Sequence, residues 1–149
     1  MSIKDFLTKG RVVIDAPAVD KATVLAELSR RAAGAAGLPV EFVINEIRKR
    51  DELGSTGIGK GVALPHARLR EVKKTVGVLT RLIKPVEFDA VDGEPVDIVF
   101  LLLLPAAAQL DQLNALAAAA RKLRDPAVLA KLRAARQQHR RRNGGHRET

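Results

Sequence analysis

The sequence predicts an α/β domain, a three-layer sandwich in which a mixed β-sheet lies between helices on both faces. Three observations predict it. Two stretches with helical periodicity precede a block of strand-like stretches, and two more helical stretches follow it. The run Val96-Asp-Ile-Val-Phe-Leu-Leu-Leu-Leu104 is nearly continuous in apolar residues. It is about half as long as a membrane-spanning helix requires and suits a central strand covered on both faces. Finally, 46% of the 149 residues are hydrophobic, which is enough for one domain with a sizeable core.

In chain order, Arg11-Val-Val-Ile14 is a short strand candidate. Ala18-Val-Asp20 supplies a helix cap, after which Val24, Leu25, Leu28 and Ala32 recur at helical spacing. Gly34 and Gly37 are expected to end that helix. Pro39 suits the first turn of a second helix, where Val40, Val43, Ile44 and Ile47 form an i, i+3, i+4, i+7 stripe. Arg50 is the next position on this stripe and points to the core edge where a glycine-rich segment begins. Its plain reading is a snorkelling cation that covers the helix end.

Val72 to Leu82 reads as a strand that stops before Pro85, and Val86-Glu-Phe88 as another short one. Val91-Asp-Gly-Glu-Pro95 is a turn by composition, and Pro105 stops the central strand. A helix from Leu110 to Leu123 carries apolar residues at 110, 113, 116, 117, 120 and 123. The last helix is capped by Asp125-Pro126 and holds Val128, Leu129 and Leu132. The domain is expected to occupy residues 1–135. Residues 136–149 have no apolar residue to bury and are expected to form a basic, disordered tail.

Composition removes several classes of function. With no cysteine there are no disulfides, thiol nucleophiles or thiolate metal sites, which fits a reducing cytoplasm. Without tryptophan or tyrosine, and with four phenylalanines, base stacking on aromatic rings is not expected. The net charge of +9 would suit nucleic acid, but the tail holds five arginines and one glutamate and so supplies +4 of it. The remaining +5 is spread over mixed-sign helices and reads as a solvated surface rather than a binding stripe, although a moderately basic body could still attract an acidic protein partner. The N-terminus lacks the apolar core of a signal peptide, so a cytoplasmic protein outside the membrane is expected.

The chemistry concentrates in Gly54-Ser-Thr-Gly-Ile-Gly-Lys-Gly-Val-Ala-Leu-Pro-His66. Gly54, Gly57, Gly59 and Gly61 permit a backbone whose N–H groups converge on an anion. Gly54 to Lys60 matches the G-x-x-x-x-G-K pattern of nucleotide-binding loops. However, Gly61 stands where such a loop needs a Mg²⁺-binding hydroxyl, and the flanking strand-to-helix context is missing. Two readings remain: a structural turn with a satisfied histidine, or a phosphoryl acceptor. In the second, His66 is the nucleophile, Ser55, Thr56 and loop amides bond phosphate oxygens, and Arg50 and Arg68 balance charge. Neither a metal nor a cofactor is needed, because transfer between histidines depends on positioning and charge stabilisation.

The nineteen residues Arg50-Asp-Glu-Leu-Gly-Ser-Thr-Gly-Ile-Gly-Lys-Gly-Val-Ala-Leu-Pro-His-Ala-Arg68 closely resemble the active-site signature of the mannitol/fructose-type enzyme IIA domains of the bacterial phosphotransferase system. The Gly-Ser-Thr-Gly-Ile-Gly variant looks most like the nitrogen-regulatory branch. The resemblance continues through Val91 to Val96, the apolar strand to Pro105, and Leu113-Asn-Ala-Leu116 to Asp125. It implies that His66 accepts a phosphoryl group from a small phosphohistidine carrier, HPr or its nitrogen-branch relative, with Arg50, Ser55 and Thr56 lining the site. It also implies that phosphorylation state signals nitrogen and carbon status to targets such as potassium-transport systems and sensor kinases. Many family members place a second histidine where Gln112 stands here, and glutamine cannot become a cation. That departure keeps open a binding module of the same fold that acts only through protein contacts.

Overall fold

The computed structural model describes residues 12–16, 19–107 and 109–134, with the backbone alone for 12–16, 109, 111, 112 and 115. Of the sequence expectations, Arg11, Ala18 and the 136–149 tail lie outside the described residues. Strand β1 is Val12–Ala16. Helix α1, Lys21–Ala36, starts where the Asp20 carboxylate accepts from the Thr23 N–H at 2.8 Å and the Thr23 hydroxyl at 2.7 Å. Such a cap satisfies N–H groups that have no partner within the helix. Gly37 ends α1 with φ 70°, a left-handed conformation that costs glycine nothing. Gly34, expected to share that role, lies inside the helix instead. Helix α2, Val40–Glu52, has Pro39 as its N-cap, one residue ahead of the expected position.

The glycine-rich segment is a β-hairpin rather than an open loop. Strands β2 (Gly57–Gly59) and β3 (Val62–Ala63) pair antiparallel across a two-residue turn. Lys60 (φ 58°) and Gly61 (φ 78°) are both left-handed, as a type I′ turn requires. His66 itself opens strand β4, His66–Leu69. Strand β5 covers Val76–Val86 and β6 covers Val96–Pro105. The expected strand from Val72 therefore starts four residues later and passes through Pro85. Val86 belongs to β5, and Phe88 lies in the following loop, fully buried. Pro85 is tolerated because the β5–β6 register slips between Arg81 and Val86, so its missing N–H breaks no ladder bond. Helix α3 is Gln109–Lys122. A last helix, α4, runs over 126–134, with the Asp125 carboxylate accepting from the Ala127 N–H at 2.9 Å.

The sheet runs β1-β5-β6-β3-β2, and β4 also pairs with β6. Strand β5 is antiparallel to β6, whereas β3 and β4 are both parallel to it, so the sheet is mixed as predicted. Successive side chains of β6 point to opposite faces. Val99, Leu101 and Leu103 join a core with α1 and α2, while Ile98, Phe100, Leu102 and Leu104 join a second core with α3 and α4. Both faces of β6 are therefore dry. Each leucine buried this way contributes about 1.5–3 kcal/mol, which explains the unbroken apolar run.

Candidate active site

Strands β3 and β4 lie end to end along one edge of β6, Val62–Ala63 opposite Ile98–Val99 and His66–Leu69 opposite Leu102–Pro105. Leu64 and Pro65 form the break between them. Pro65 has no N–H to give the ladder, but its carbonyl accepts from the Leu102 N–H at 2.9 Å. Leu64 turns aside and donates its N–H to the Thr56 carbonyl at 2.9 Å. A histidine directly after this break is anchored by backbone on both sides.

The imidazole is anchored as well. His66 Nδ1 lies 2.9 Å from the Leu64 carbonyl oxygen. A carbonyl can only accept, so Nδ1 carries the proton and the ring lone pair resides on Nε2. Burial pushes the His66 pKa below its ordinary value of 6.5. The Leu64 hydrogen bond opposes this, and the nearby positive charges of Arg50 and Arg68 add to it. The ring is therefore neutral at neutral pH, with its nucleophilic nitrogen available.

A cleft of about 500 Å³ opens over His66. Its charged walls are Lys49, Arg50 and Arg68, with Glu46 as the one carboxylate. Its apolar walls include Leu53, Leu113 and Leu116. Helix α2 aims Arg50 inward through the same stripe that buries Val43 and Ile47. The Arg50 guanidinium donates to the Gly54 carbonyl at 2.9 Å, so the helix end and the start of the glycine segment are tied together. The snorkelling reading is thus joined by a positional one, because the held cation lies beside a histidine.

The other predicted site residues are placed differently. The Ser55 hydroxyl donates to the Phe88 carbonyl and accepts from the Gly57 N–H, so it braces the hairpin against the 87–91 loop. Thr56 is 5% exposed, and its hydroxyl has no hydrogen-bond partner among the described residues. Gly57, Gly59 and Gly61 are not on the cleft. An added Cβ at Gly57 would lie 2.7 Å from Ala90 Cβ, and one at Gly61 would lie 2.8 Å from the Arg133 guanidinium. Their smallness serves packing of the hairpin on neighbouring segments. Gln112 lies on α3, with its side chain outside the described residues.

Sequence reasoning missed the roles of Leu64, Lys49, Glu46 and Leu53. The Leu64 carbonyl carries no residue-type signal, since any residue has one. Leu53 lies off the buried stripe of α2 and is 84% exposed, an apolar residue that no core position accounts for. Leu110 and Leu113 were expected on a core-facing stripe but are 71% and 60% exposed. The inward face of α3 takes hold only from Leu116 onward, through Ala119 and Ala120, and the contact continues at Leu123 just past the helix end.

A family model described as "Phosphoenolpyruvate-dependent sugar phosphotransferase system, EIIA 2" matches residues 5–140. The chain belongs to this EIIA 2 family. Its relatives include a nitrogen regulatory protein of Bradyrhizobium diazoefficiens, 40% identical over 136 residues that cover 91% of this chain and 89% of that one. The nitrogen regulatory protein of Escherichia coli is 41% identical over 116 residues, 77% of this chain and 71% of that one. Among solved structures, the nitrogen regulatory protein IIA-Ntr of Neisseria meningitidis superposes with a TM-score of 0.82 at 34% identity, covering 87% of this chain and 89% of that one. The EIIA 2 fold and the likeness to nitrogen regulatory proteins are thus shown. Among the described residues no helix is long and apolar enough to cross a membrane.

Proposed function

We propose that this EIIA 2 chain accepts a phosphoryl group on Nε2 of His66 from the phosphohistidine of a small HPr-like carrier, in the cytoplasm, and acts as a regulator through that phosphorylation state. The observation that carries the reading is the tautomer. With Nδ1–H committed to the Leu64 carbonyl, a neutral ring offers its Nε2 lone pair beside two arginines. In the transfer, the N–P bond of the donor breaks as the Nε2–P bond forms, and the electron pair returns to the donor's ring. The Leu64 carbonyl steadies the positive charge that develops on the His66 ring, while Arg50 and Arg68 stabilise the equatorial phosphoryl oxygens.

The phosphate then adds roughly two negative charges to the cleft. Such a change is large enough to alter a partner's affinity by electrostatics, which is how the chain would report nitrogen and carbon status to its targets. Incubation with a phosphorylated carrier is expected to add one acid-labile phosphate, visible by intact mass and absent in His66→Ala. A phosphate that persists in His66→Ala would sink the assignment. A wild-type chain that binds the carrier but gains no phosphate would favour the non-transferring binding module.

A further inference from the structure

We infer that the Lys21–Asp51 ion pair is a positioning device for phosphoryl transfer: it fixes the last turn of α2 and, through that turn, the guanidinium of Arg50 in the wall of the His66 cleft. The inference deepens the proposed function and rests on it for the reaction that Arg50 serves.

Lys21 is the first residue of α1, at the helix end whose dipole disfavours a cation. Its partners come from other segments. The ammonium lies 2.9 Å from the Asp51 carboxylate near the end of α2 and 3.6 Å from that of Asp89 in the loop after β5. The Lys21 and Asp51 side chains are 26% and 13% exposed, so this pair is better shielded than an ordinary surface pair. The bond to Asp51 raises the Lys21 pKa above its ordinary 10.5, outweighing burial. The second Asp51 oxygen is buried without a hydrogen-bond partner among the described residues. A shielded carboxylate with one partner holds to that partner, because leaving the charge unpaired is costly.

What the pair controls is one residue away. Helix α2 ends on Leu53 in a right-handed conformation, φ −75°, without the left-handed glycine that closes α1. Residues 50 and 51 grip Gly54 instead. The Arg50 guanidinium donates to the Gly54 carbonyl at 2.9 Å, and the Gly54 N–H donates to the Asp51 carbonyl at 3.1 Å. Successive helical residues are turned by about 100°, so Asp51 meets Lys21 of α1 while Arg50 lines the cleft. A tether at Asp51 therefore sets the rotation of the turn from which Arg50 projects. The same ammonium reaches Asp89, and the adjacent Phe88 carbonyl accepts the Ser55 hydroxyl. Both the helix end and the brace behind Ser55 are thus referred to Lys21. Placement of this kind matters for rate, since an error of about 1 Å in a positioning group can cost about 10²-fold.

The test combines Asp51→Asn with Arg50→Ala in a double-mutant cycle and reads two quantities in the full chain. The first is transfer from a saturating phosphorylated carrier, where Asp51→Asn is expected to be about tenfold slower than the parent. Added to Arg50→Ala, it should slow transfer by no more than about twofold, because the residue it positions is already gone. The second is the His66 midpoint by NMR. Removing a carboxylate's charge can by itself only lower that midpoint, whereas releasing Arg50 from the cleft raises it. The other charged groups lining the cleft, Glu46, Lys49 and Arg68, are the same in every variant. An upward shift in Asp51→Asn that vanishes in the Arg50→Ala background is the expected result. A midpoint that falls or stays, or a rate loss that adds in full to that of Arg50→Ala, would overturn the proposal. So would a lowered melting temperature with both readouts unchanged, which would leave the pair a structural role only. If Asp51→Asn does not fold, Lys21→Gln breaks the pair from the other side, and its rate loss should likewise shrink to about twofold in the Arg50→Ala background. If the parent chain gains no phosphate, the transfer reading falls, and the midpoint comparison still decides whether the pair places Arg50.

Discussion

The ring of His66 is held by the carbonyl of Leu64, two residues earlier, at 2.9 Å. The contact exists because Pro65 interrupts the strand between them and leaves that carbonyl outside the ladder of β6. It decides the chemistry of the ring. Phosphorylation is expected on Nε2, with the Nδ1 proton retained. A ¹H–¹⁵N correlation spectrum of the phosphorylated chain should show phosphorus coupling at Nε2 and a proton on Nδ1, and phosphate on Nδ1 would contradict the geometry.

The pH response follows from the same ring. The folded-state pKa of His66 is depressed by burial first and by Arg50 and Arg68 second. Below the ordinary value of 6.5 the unfolded chain binds a proton that the folded chain resists, so stability falls as pH drops through that window. An NMR titration should therefore place the His66 midpoint below 6.5. Arg50→Ala, which removes one of the positive charges, should move it upward. A midpoint at or above 6.5 would mean that solvent reaches the ring.

Arg50 is expected to matter for rate more than for folding. Arg50→Ala should slow phosphoryl transfer by about 10²-fold, the usual scale for losing one charged transition-state contact. Arg50→Lys should recover only part of it, because an ammonium lacks the planar fork that spans a carbonyl and a phosphoryl oxygen together. Thermal unfolding monitored alongside separates the effects. Unchanged transfer in Arg50→Ala would return the residue to a helix-end cover that ties Gly54.

Gly61 belongs to stability. It combines φ 78° with a site where a Cβ would lie 2.8 Å from Arg133 and 2.9 Å from Asp97. Arg133 and Asp97 form an ion pair at 2.9 Å, and Arg133 also donates to the Lys60 carbonyl at 2.8 Å, clamping α4 to the hairpin turn. Gly61→Ala is expected to cost about 1–3 kcal/mol in chemical denaturation. Lys60→Gly at the neighbouring left-handed position should stay within about 1 kcal/mol of the parent. Equal effects at the two positions would show that the Arg133 clamp contributes nothing.

Several features were decided by local sequence alone. Asp20 caps α1 because its carboxylate meets the Thr23 N–H, and Gly37 ends the helix because the left-handed turn costs it nothing. The apolar run of β6 needs two covered faces, and the stripe of α2 carries Arg50 to the edge of its core. The nineteen residues from Arg50 to Arg68 identify the family outright. Other features depend on residues far apart in the chain. The glycines resemble a phosphate cradle, yet Gly57 meets Ala90 and Gly61 meets Arg133, partners that only the folded sheet brings near. Leu110 and Leu113 share the helical spacing of Leu116 and Leu123, but spacing alone cannot say where a helix lifts away from the sheet. The hydrogen bond that holds His66 Nδ1 comes from a carbonyl, which every residue possesses and only the tertiary break at Pro65 aims.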